Sequence, residues 1–352
     1  MSDPFAPPLA EAVVVGTGRL TLDVIVEESA TRREPAAQGG GTCGNVLTNL
    51  ACLGWQAYPV ADLGEDDSAE VYCRDLQRWG VRLDLVRRYP GQQTPVIIHH
   101  VGPRGHAYSS RCPFCEGRLQ YFEPVPLERV QARLPALPDA RVYFFDRDSP
   151  GSLLLARECR QRGALIMYEP NYAGPESQVE QAVGLAHVLK FSRERLGGLA
   201  EERALDGPWL IIETLGEEGL RYQVRRQGAR EWVQLPAIRV PVVRDAGGSG
   251  DWCSAGLLHG VGQQGAAGLA DASEEQLHKS LRFGQALAAW NCAFVGARGG
   301  VYHASAERWH ADVRALLRGE TFDPGVTAGP GTQGAAGAFC PHCGGKRSDP
   351  AE

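Results

Sequence analysis

The chain has 352 residues, of which 36 are basic and 42 are acidic, for a formal net charge of −6. This balance argues against a surface that binds nucleic acid or anionic membranes, and a chain of this length can bury a large core in one α/β domain. No apolar run reaches the roughly 18 to 20 residues of a membrane span, and the N-terminal segment Met1–Pro4 lacks the basic start of a signal peptide. We therefore expect a cytoplasmic protein that contacts neither nucleic acid nor a membrane.

Strands and helices alternate in the predicted secondary structure. Four near-continuous apolar runs are typical of parallel strands covered on both faces, and they span 12–16, 141–145, 164–168 and 209–213. Apolar residues at three- and four-residue spacing predict helices over 45–53, 68–79, 149–162, 251–260 and 273–295. This alternation predicts an α/β fold with a doubly wound, mostly parallel sheet and helices on both faces.

Two further stretches have the pattern of exposed antiparallel strands. They cover about 24–38 and 94–112, and the second contains a Gly-Pro-Arg-Gly turn at 102–105. We expect them to form a small β lid, and we expect a homodimer through that lid. The C-terminal region from Asp323 is rich in Gly, Ala and Pro, which is typical of a flexible linker. The predicted division is therefore a main domain over 1–322 and a linker with a C-terminal cysteine knuckle over 323–352.

Two Cys-Pro-x-Cys segments, which we call the first and second knuckles, lie far apart in the chain. Their cysteines are Cys112, Cys115, Cys340 and Cys343. Four thiolates satisfy a closed tetrahedral zinc site, and a Gly shortly after each pair allows backbone N–H groups to turn toward the sulfurs. Each pair could instead be a redox dithiol, or the second knuckle could bind nothing. We favour a structural zinc ion.

The segment Asp245–Asp251, which we call the anion loop, reads Asp-Ala-Gly-Gly-Ser-Gly-Asp and leads into an apolar helical stretch. Small residues let backbone N–H groups point into one concavity, and the first turn of the helix adds its own N–H groups. Such a cradle attracts phosphate, and Asp251 beside it can take a proton from an attacking hydroxyl. The segment predicts phosphoryl transfer to an alcohol. The alternative is a Gly-rich loop with an Asp in the first helical turn, where acids are favoured anyway.

On these motifs the chain resembles the ribokinase-like PfkB family of carbohydrate kinases over about residues 11 to 305. The anion loop matches the family signature Asp-Thr-x-Gly-Ala-Gly-Asp, and Gly40–Asn45 followed by Leu50–Gly54 matches the N-terminal signature. Supporting matches lie at 62–67, 169–171 and 214–219. The resemblance implies a ribokinase-like fold, ATP and Mg²⁺ as cofactors, and a sugar or nucleoside as the substrate. It predicts no zinc.

The resemblance also implies roles for individual residues. Asp251 is the general base, and the anion hole is formed by Gly248, Ser249 and Gly250. The substrate contacts Asp23, Gly40, Gly41, Asn45 and Asp148. The nucleotide and its metal lie against Lys190, Ser192, Glu194, Thr214, Gly216, Gly219 and Asp245. For Asp23, Asn45 and Asp148 the alternative is a capping or turn role.

The chain departs from the family pattern where an Asn-x-x-Glu motif is expected. Ser192–Arg195 stands there, with Glu194 one position early, and Glu169 replaces an Asp. These changes can detune catalysis without abolishing it. A nucleoside kinase of the same fold is the main enzymatic alternative, and a catalytically weak sugar-binding or interaction protein is the alternative from another class. A P-loop kinase is disfavoured because Gly16–Thr21 lacks both the Gly-Lys-Ser/Thr ending and a third glycine, and a Rossmann dehydrogenase is disfavoured for the same missing glycine.

Overall fold

The computed structural model describes residues 3–27, 35–102, 105–172, 174–197, 207–225, 231–325 and 339–344. The strands in these ranges are β1 Val13–Thr17, β2 Thr21–Glu27, β3 Ala36–Gly40, β4 Gln56–Gly64, β5 Val86–Tyr89, β6 Val96–Gly102, β7 Gly105–Ser109, β8 Val142–Phe145, β9 Leu165–Tyr168, β10 Val188–Ser192, β11 Leu210–Thr214, β12 Leu220–Val224 and β13 Val233–Leu235. The α-helices are Thr42–Cys52, Asp67–Arg78, Leu127–Gln131, Pro150–Gln161, Glu176–Leu185, Arg193–Leu196, Ser249–Val261, Ala266–Asp271, Glu274–Cys292, Gly299–His303 and Ala306–Leu317.

Nine strands form the main sheet, in the order β13-β12-β11-β10-β9-β8-β1-β4-β5. Pairing is parallel from β5 through to β11, and β12 and β13 extend that edge in antiparallel pairing. The predicted doubly wound, mostly parallel sheet is confirmed. The carboxyl ends of the parallel strands share one edge, where such sheets bind ligands.

Alternate residues of the central strands enter two separate apolar cores. Val14 and Phe144 belong to one core, and their neighbours Val15 and Phe145 belong to the other. This follows from the two-residue period of a strand, which points successive side chains to opposite faces. The helices Ser249–Val261 and Glu274–Cys292 pack in the first core, and the helices Pro150–Gln161 and Glu176–Leu185 pack in the second.

A separate four-stranded sheet, in the order β3-β2-β6-β7, forms the predicted lid. The lid is confirmed, but its strands differ from the expectation: β2 starts at Thr21 rather than at residue 24, and its pairing with β6 is parallel. Leu22 and Val24 are fully buried, so β2 packs on the apolar core and was wrongly expected to be exposed. Part of the predicted 24–38 stretch lies outside the described residues. Dimerisation through the lid stays a prediction.

Several elements were absent from the predicted set. Strand β4 carries Pro59 and Asp62 among its apolar residues, and this interruption hides its pattern. Strand β10 contains a buried Lys190, which breaks an otherwise apolar run in the same way. None of the described helices is long and apolar enough to cross a membrane.

The described C-terminal residues pack against the main domain. Phe339 and Cys340 are buried in the same apolar core as Phe322, and Phe114 of the first knuckle contacts Phe339 with ring centroids 6.3 Å apart. Residues 326–338 of the predicted linker lie outside the described residues. The division at residue 323 stays a prediction.

Candidate active site

The anion loop has the conformation that its glycines predict. Gly248 caps the helix Ser249–Val261 with φ 74°, a left-handed conformation that favours glycine. A Cβ atom at this position would also overlap the backbone of Ala297. The loop therefore brings its backbone close to the start of a 13-residue helix, whose first N–H groups face the same end.

Asp251 lies in the first turn of that helix and is only 8 % exposed. Asn45 donates a hydrogen bond from Nδ2 to Asp251 Oδ2 over 2.7 Å, which joins two predicted residues that are 206 positions apart. Burial, and then the negative charge of Glu169, raise the pKa of Asp251 to about 8, against the opposing effect of the Asn45 hydrogen bond. A carboxylate of this basicity is suited to take a proton near neutral pH.

A buried network supports the anion loop from within the sheet. Lys190 on β10 donates hydrogen bonds to Glu169 and to the Gly250 carbonyl oxygen, the latter over 3.0 Å. Ser254 donates to the other oxygen of Glu169 over 2.5 Å. Burial works to lower the pKa of Lys190, but the negative charge of Glu169 outweighs it and raises the pKa. The amino group of Lys190 thus holds the loop backbone, a contact that sequence reasoning did not anticipate.

The predicted substrate residues near the lid lie together. The Asp23 carboxylate covers Gly40, where a Cβ atom would overlap it, and Thr21 donates a hydrogen bond to Asp23 over 2.7 Å. Burial raises the pKa of Asp23. Asn45 Oδ1 is buried and has no hydrogen-bond partner among the described residues, so it is available to accept from a ligand hydroxyl.

Gly41 occupies the turn that starts the helix Thr42–Cys52. Its φ of 78° and its close approach to the backbone of Arg19 explain why glycine stands there. The turn directs the helix so that Asn45 reaches Asp251.

Asp148 lies at the carboxyl end of the sheet, beyond β8. Its carboxylate covers Gly174, burial raises its pKa, and Oδ2 has no hydrogen-bond partner among the described residues. The neighbouring Asp146, which sequence reasoning did not single out, accepts a 2.8 Å hydrogen bond from the backbone of Arg19. Asp146 therefore contacts the loop after β1, and the role of Asp148 at the substrate stays a prediction.

Five of the seven predicted nucleotide residues lie where β10 and β11 end. Ser192 and Thr214 are paired in register, and Glu194 lies on the short helix that follows β10. Gly216 and Gly219 both have positive φ, 60° and 104°. These residues therefore share one edge of the sheet, and their contact with the nucleotide stays a prediction.

The same edge contains Glu213, another buried carboxylate that sequence reasoning missed. It forms ion pairs with Arg193 and Arg221. The one sequence signal that could have identified Glu213 is its position at the end of an apolar strand pattern.

Asp245, the first residue of the anion loop, lies against the lid. It accepts backbone hydrogen bonds of 2.8 Å from Gly247 and from Gly296. His99 and His106 of the lid each lie 3.3 Å from one of its oxygens. Burial works to raise the pKa of Asp245, but the two histidines beside it and the hydrogen bond from the Gly247 N–H outweigh it and lower the pKa. No sequence pattern pointed to these histidines.

The four knuckle cysteines converge although 225 or more residues separate their pairs. Sγ–Sγ distances are 3.6 Å for Cys112 and Cys343 and 3.7 Å for Cys115 and Cys340, and all four sulfurs lie within 4.8 Å of one another. The hydrogen bonds from the backbone of the second knuckle, led by His342, outweigh the opposite effect of burial and lower the pKa of Cys340 to about 7. A thiol of this acidity ionises readily at neutral pH.

A glycine after each cysteine pair was expected to let the backbone turn toward the sulfurs. This expectation holds for the second knuckle and is wrong for the first. Gly344 follows Cys343 with φ 64°, but the left-handed residue after Cys115 is Glu116, with φ 59°. Gly117 is required for another reason, since a Cβ atom there would overlap the ring of His342.

The chain is similar to known proteins over most of its length. The profile of the pfkB family carbohydrate kinases matches residues 11–303. Probable fructokinase-3 of Arabidopsis thaliana is 26% identical over 325 residues, which cover 82% of this chain and 88% of that protein.

Solved structures agree in fold. The ATP-bound fructokinase of Xylella fastidiosa is 20% identical with a TM-score of 0.68 and covers 88% of this chain and 98% of its own. The Burkholderia thailandensis nucleoside kinase in complex with inosine is 18% identical with a TM-score of 0.63 and covers 86% and 98%. These likenesses confirm the ribokinase-like fold, and the family match extends over most of the chain. The chain belongs to the PfkB family of carbohydrate kinases, which transfer phosphate to an alcohol group.

Proposed function

We propose that the protein transfers the γ-phosphoryl group of ATP to a hydroxyl of a sugar or of a nucleoside sugar, with Asp251 as the general base. The observation that carries this proposal is the position of Asp251 in the first turn of the helix Ser249–Val261, which begins inside the anion loop. Asp251 is a buried carboxylate with a pKa raised to about 8. A base beside an N–H cradle is the arrangement that in-line transfer to a hydroxyl requires.

Each residue of the site has a separate role in the proposed transfer. The acceptor hydroxyl gives its proton to Asp251 as the oxygen–phosphorus bond forms, and the bond to the leaving ADP oxygen breaks. The N–H groups of Gly248, Gly250 and Asp251 face the negative charge of the transferred group, whereas the Ser249 N–H donates to the Ala246 carbonyl oxygen over 3.2 Å. Asn45 orients Asp251 with Nδ2 and keeps Oδ1 for the acceptor, while Asp23 binds a further hydroxyl.

ATP and Mg²⁺ fit the residues that are present. The anion loop packs its backbone closely against Ala297 because Gly248 has no Cβ atom, and the helix that begins at Ser249 offers N–H groups suited to phosphate oxygens. Mg²⁺ supplies charge neutralisation on the phosphates when bound. Glu169 already accepts hydrogen bonds from Lys190 and Ser254. We therefore propose that the exposed Glu194 is the carboxylate that lies beside the Mg²⁺ ion.

Sugars and nucleosides are both candidates for the acceptor. The relatives include a probable fructokinase and a nucleoside kinase in complex with inosine. Paired carboxylate and amide groups, here Asp23 and Asn45, suit the adjacent hydroxyls that both substrate classes carry. A coupled assay of ADP release with ATP and Mg²⁺, run against hexoses, pentoses, sugar phosphates and nucleosides, identifies the acceptor.

The Asp251→Asn variant, measured in the same assay, tests whether Asp251 is the general base. Asp312→Asn is a matched control, because Asp312 is also 8 % exposed but contacts Arg308 of its own helix and Trp290 of the helix Glu274–Cys292. We expect transfer to one acceptor class that is lost with Asp251→Asn and kept with Asp312→Asn. Absence of transfer to every acceptor would contradict the proposal.

We also propose that the two knuckles bind one structural Zn²⁺ ion. Sulfurs held about 2.3 Å from a tetrahedral zinc lie roughly 3.8 Å apart. The Sγ–Sγ distances of 3.6 and 3.7 Å across the cluster are close to this value, so a zinc ion fits without a rearrangement of the cysteines. The site would fasten the C-terminal segment 339–344 to the chain that directly follows lid strand β7.

Elemental analysis of the purified protein tests the zinc site. The Cys340→Ser, Cys343→Ser double variant should contain one zinc per chain less than the wild type, because two of the four ligands are lost. Cys159→Ser is the control, since this buried cysteine lies in the helix Pro150–Gln161. An unchanged zinc content in the double variant would contradict the site.

A further inference from the structure

We propose that His99, His106 and Asp245 form a second metal site, separate from the cysteines, that binds a divalent transition-metal ion such as Zn²⁺ between the lid and the anion loop. This site does not depend on the proposed kinase reaction.

The geometry of the three side chains is the first support. His99 Nε2 lies 3.3 Å from Asp245 Oδ2, and His106 Nδ1 lies 3.3 Å from Asp245 Oδ1. The three ligand atoms lie within 4.8 Å of one another. Nitrogen and oxygen ligands about 2.0 to 2.2 Å from a tetrahedral ion are separated by roughly 3.3 to 3.5 Å. Each histidine nitrogen lies at such a separation from a different oxygen of Asp245, so an ion held by both oxygens of this carboxylate would lie beside both rings.

The second support is the state of His99, which is 0 % exposed. Neither of its ring nitrogens has a hydrogen-bond partner among the described residues, because the 3.3 Å approach to Asp245 is not aligned as a hydrogen bond. A buried polar group without a partner destabilises the folded protein. A nitrogen and an oxygen that lie side by side without a hydrogen bond between them are placed to share a cation.

The surroundings of the site fix the orientation of its ligands. The N–H groups of Gly247 and Gly296 each donate to one oxygen of Asp245, which holds the carboxylate plane. The ring of Tyr108 stacks on His99 with centroids 4.7 Å apart. Outer contacts of this kind orient metal ligands in proteins.

The ligand set selects the type of ion. Two imidazoles and one carboxylate favour Zn²⁺ and related transition metals, whereas Mg²⁺ and Ca²⁺ prefer oxygen ligands alone. Three protein ligands leave a fourth position for water. An ion here would join strands β6 and β7 of the lid to the first residue of the anion loop. The metal would thereby hold the lid against the loop on which the phosphoryl group is expected to bind.

Titration with Co²⁺ tests this site directly. The protein is the untagged full chain carrying Cys340→Ser and Cys343→Ser, so that the cysteine site cannot contribute. We expect one Co²⁺ per chain, with visible absorption of nitrogen and oxygen ligands and no thiolate charge-transfer band. Adding His106→Gln should weaken the affinity at least about tenfold, because a ligand is lost. Adding His100→Gln instead is the control, since His100 is the neighbour of His99 on β6.

Either of two titration results would overturn the proposal: no stoichiometric Co²⁺ binding in the double-cysteine variant, or the same affinity after His106→Gln. His106 is 25 % exposed at its side chain, so its replacement leaves no large cavity. A second measurement needs no histidine variant. Zn²⁺ should protect His106 of the double-cysteine variant from carbethoxylation, and modification at the same rate with and without Zn²⁺ would equally refute the site.

Discussion

The Asp251→Asn variant should be more stable than the wild type at pH 8, and the advantage should vanish toward pH 4. Folding raises the pKa of Asp251 from 3.8 to about 8. Between these values the folded chain binds more protons than the unfolded chain, so the wild type loses stability as the pH rises through the window. The amide removes this loss and retains the size of the side chain.

The magnitude follows from the shift. Each unit of pKa corresponds to about 1.4 kcal/mol, so about four units amount to on the order of 5 kcal/mol when the window is crossed. Urea unfolding followed by tryptophan fluorescence at pH 5, 6, 7 and 8 gives the free energy of unfolding of both proteins. We expect the difference between them to grow by about 1.4 kcal/mol per pH unit. A difference that is constant from pH 5 to 8 would refute the reasoning.

Three further predictions concern the same site. Glu169→Gln removes a negative charge that raises the pKa of Asp251, so the rise of kcat/KM with pH, expected near pH 8, should move to lower pH; an unmoved profile would contradict the coupling. Gly248→Ala should lower kcat about 10²- to 10³-fold by displacing the anion loop, whereas Gly319→Ala, at a similar φ of 80° but in open space, should keep full activity. Asp23→Ala should weaken acceptor binding by roughly 1.5 to 3 kcal/mol and leave ATP affinity unchanged in calorimetric titrations; the reverse would exclude the assigned role.

The sequence predicted most of the fold because its elements carry strong local signals. The apolar strands around residues 142–145 and 165–168 and the helix at 273–295 were found within a few residues of their observed ends. Strand β4 was missed because Pro59 and Asp62 interrupt its pattern. The lid strand β2 was placed three residues late because its burial depends on tertiary contacts, which no local pattern records.

The site was predictable where a motif fixes the backbone and not where distant elements meet. The anion loop and Asn45 were identified from signatures, and the structure joins Asn45 to Asp251. The contacts of Lys190 with Glu169, and of His99 with Asp245, arise from packing between elements far apart in the chain. Residues of these types are common in any sequence, so only the fold distinguishes them.

The most direct test of the central claim is the turnover of Asp251→Asn on the identified acceptor, measured alongside its affinity for ATP. If Asp251 is the general base, kcat falls about 10²- to 10⁴-fold while ATP binds with wild-type affinity. Turnover within a few-fold of the wild type at equal nucleotide affinity would contradict the account.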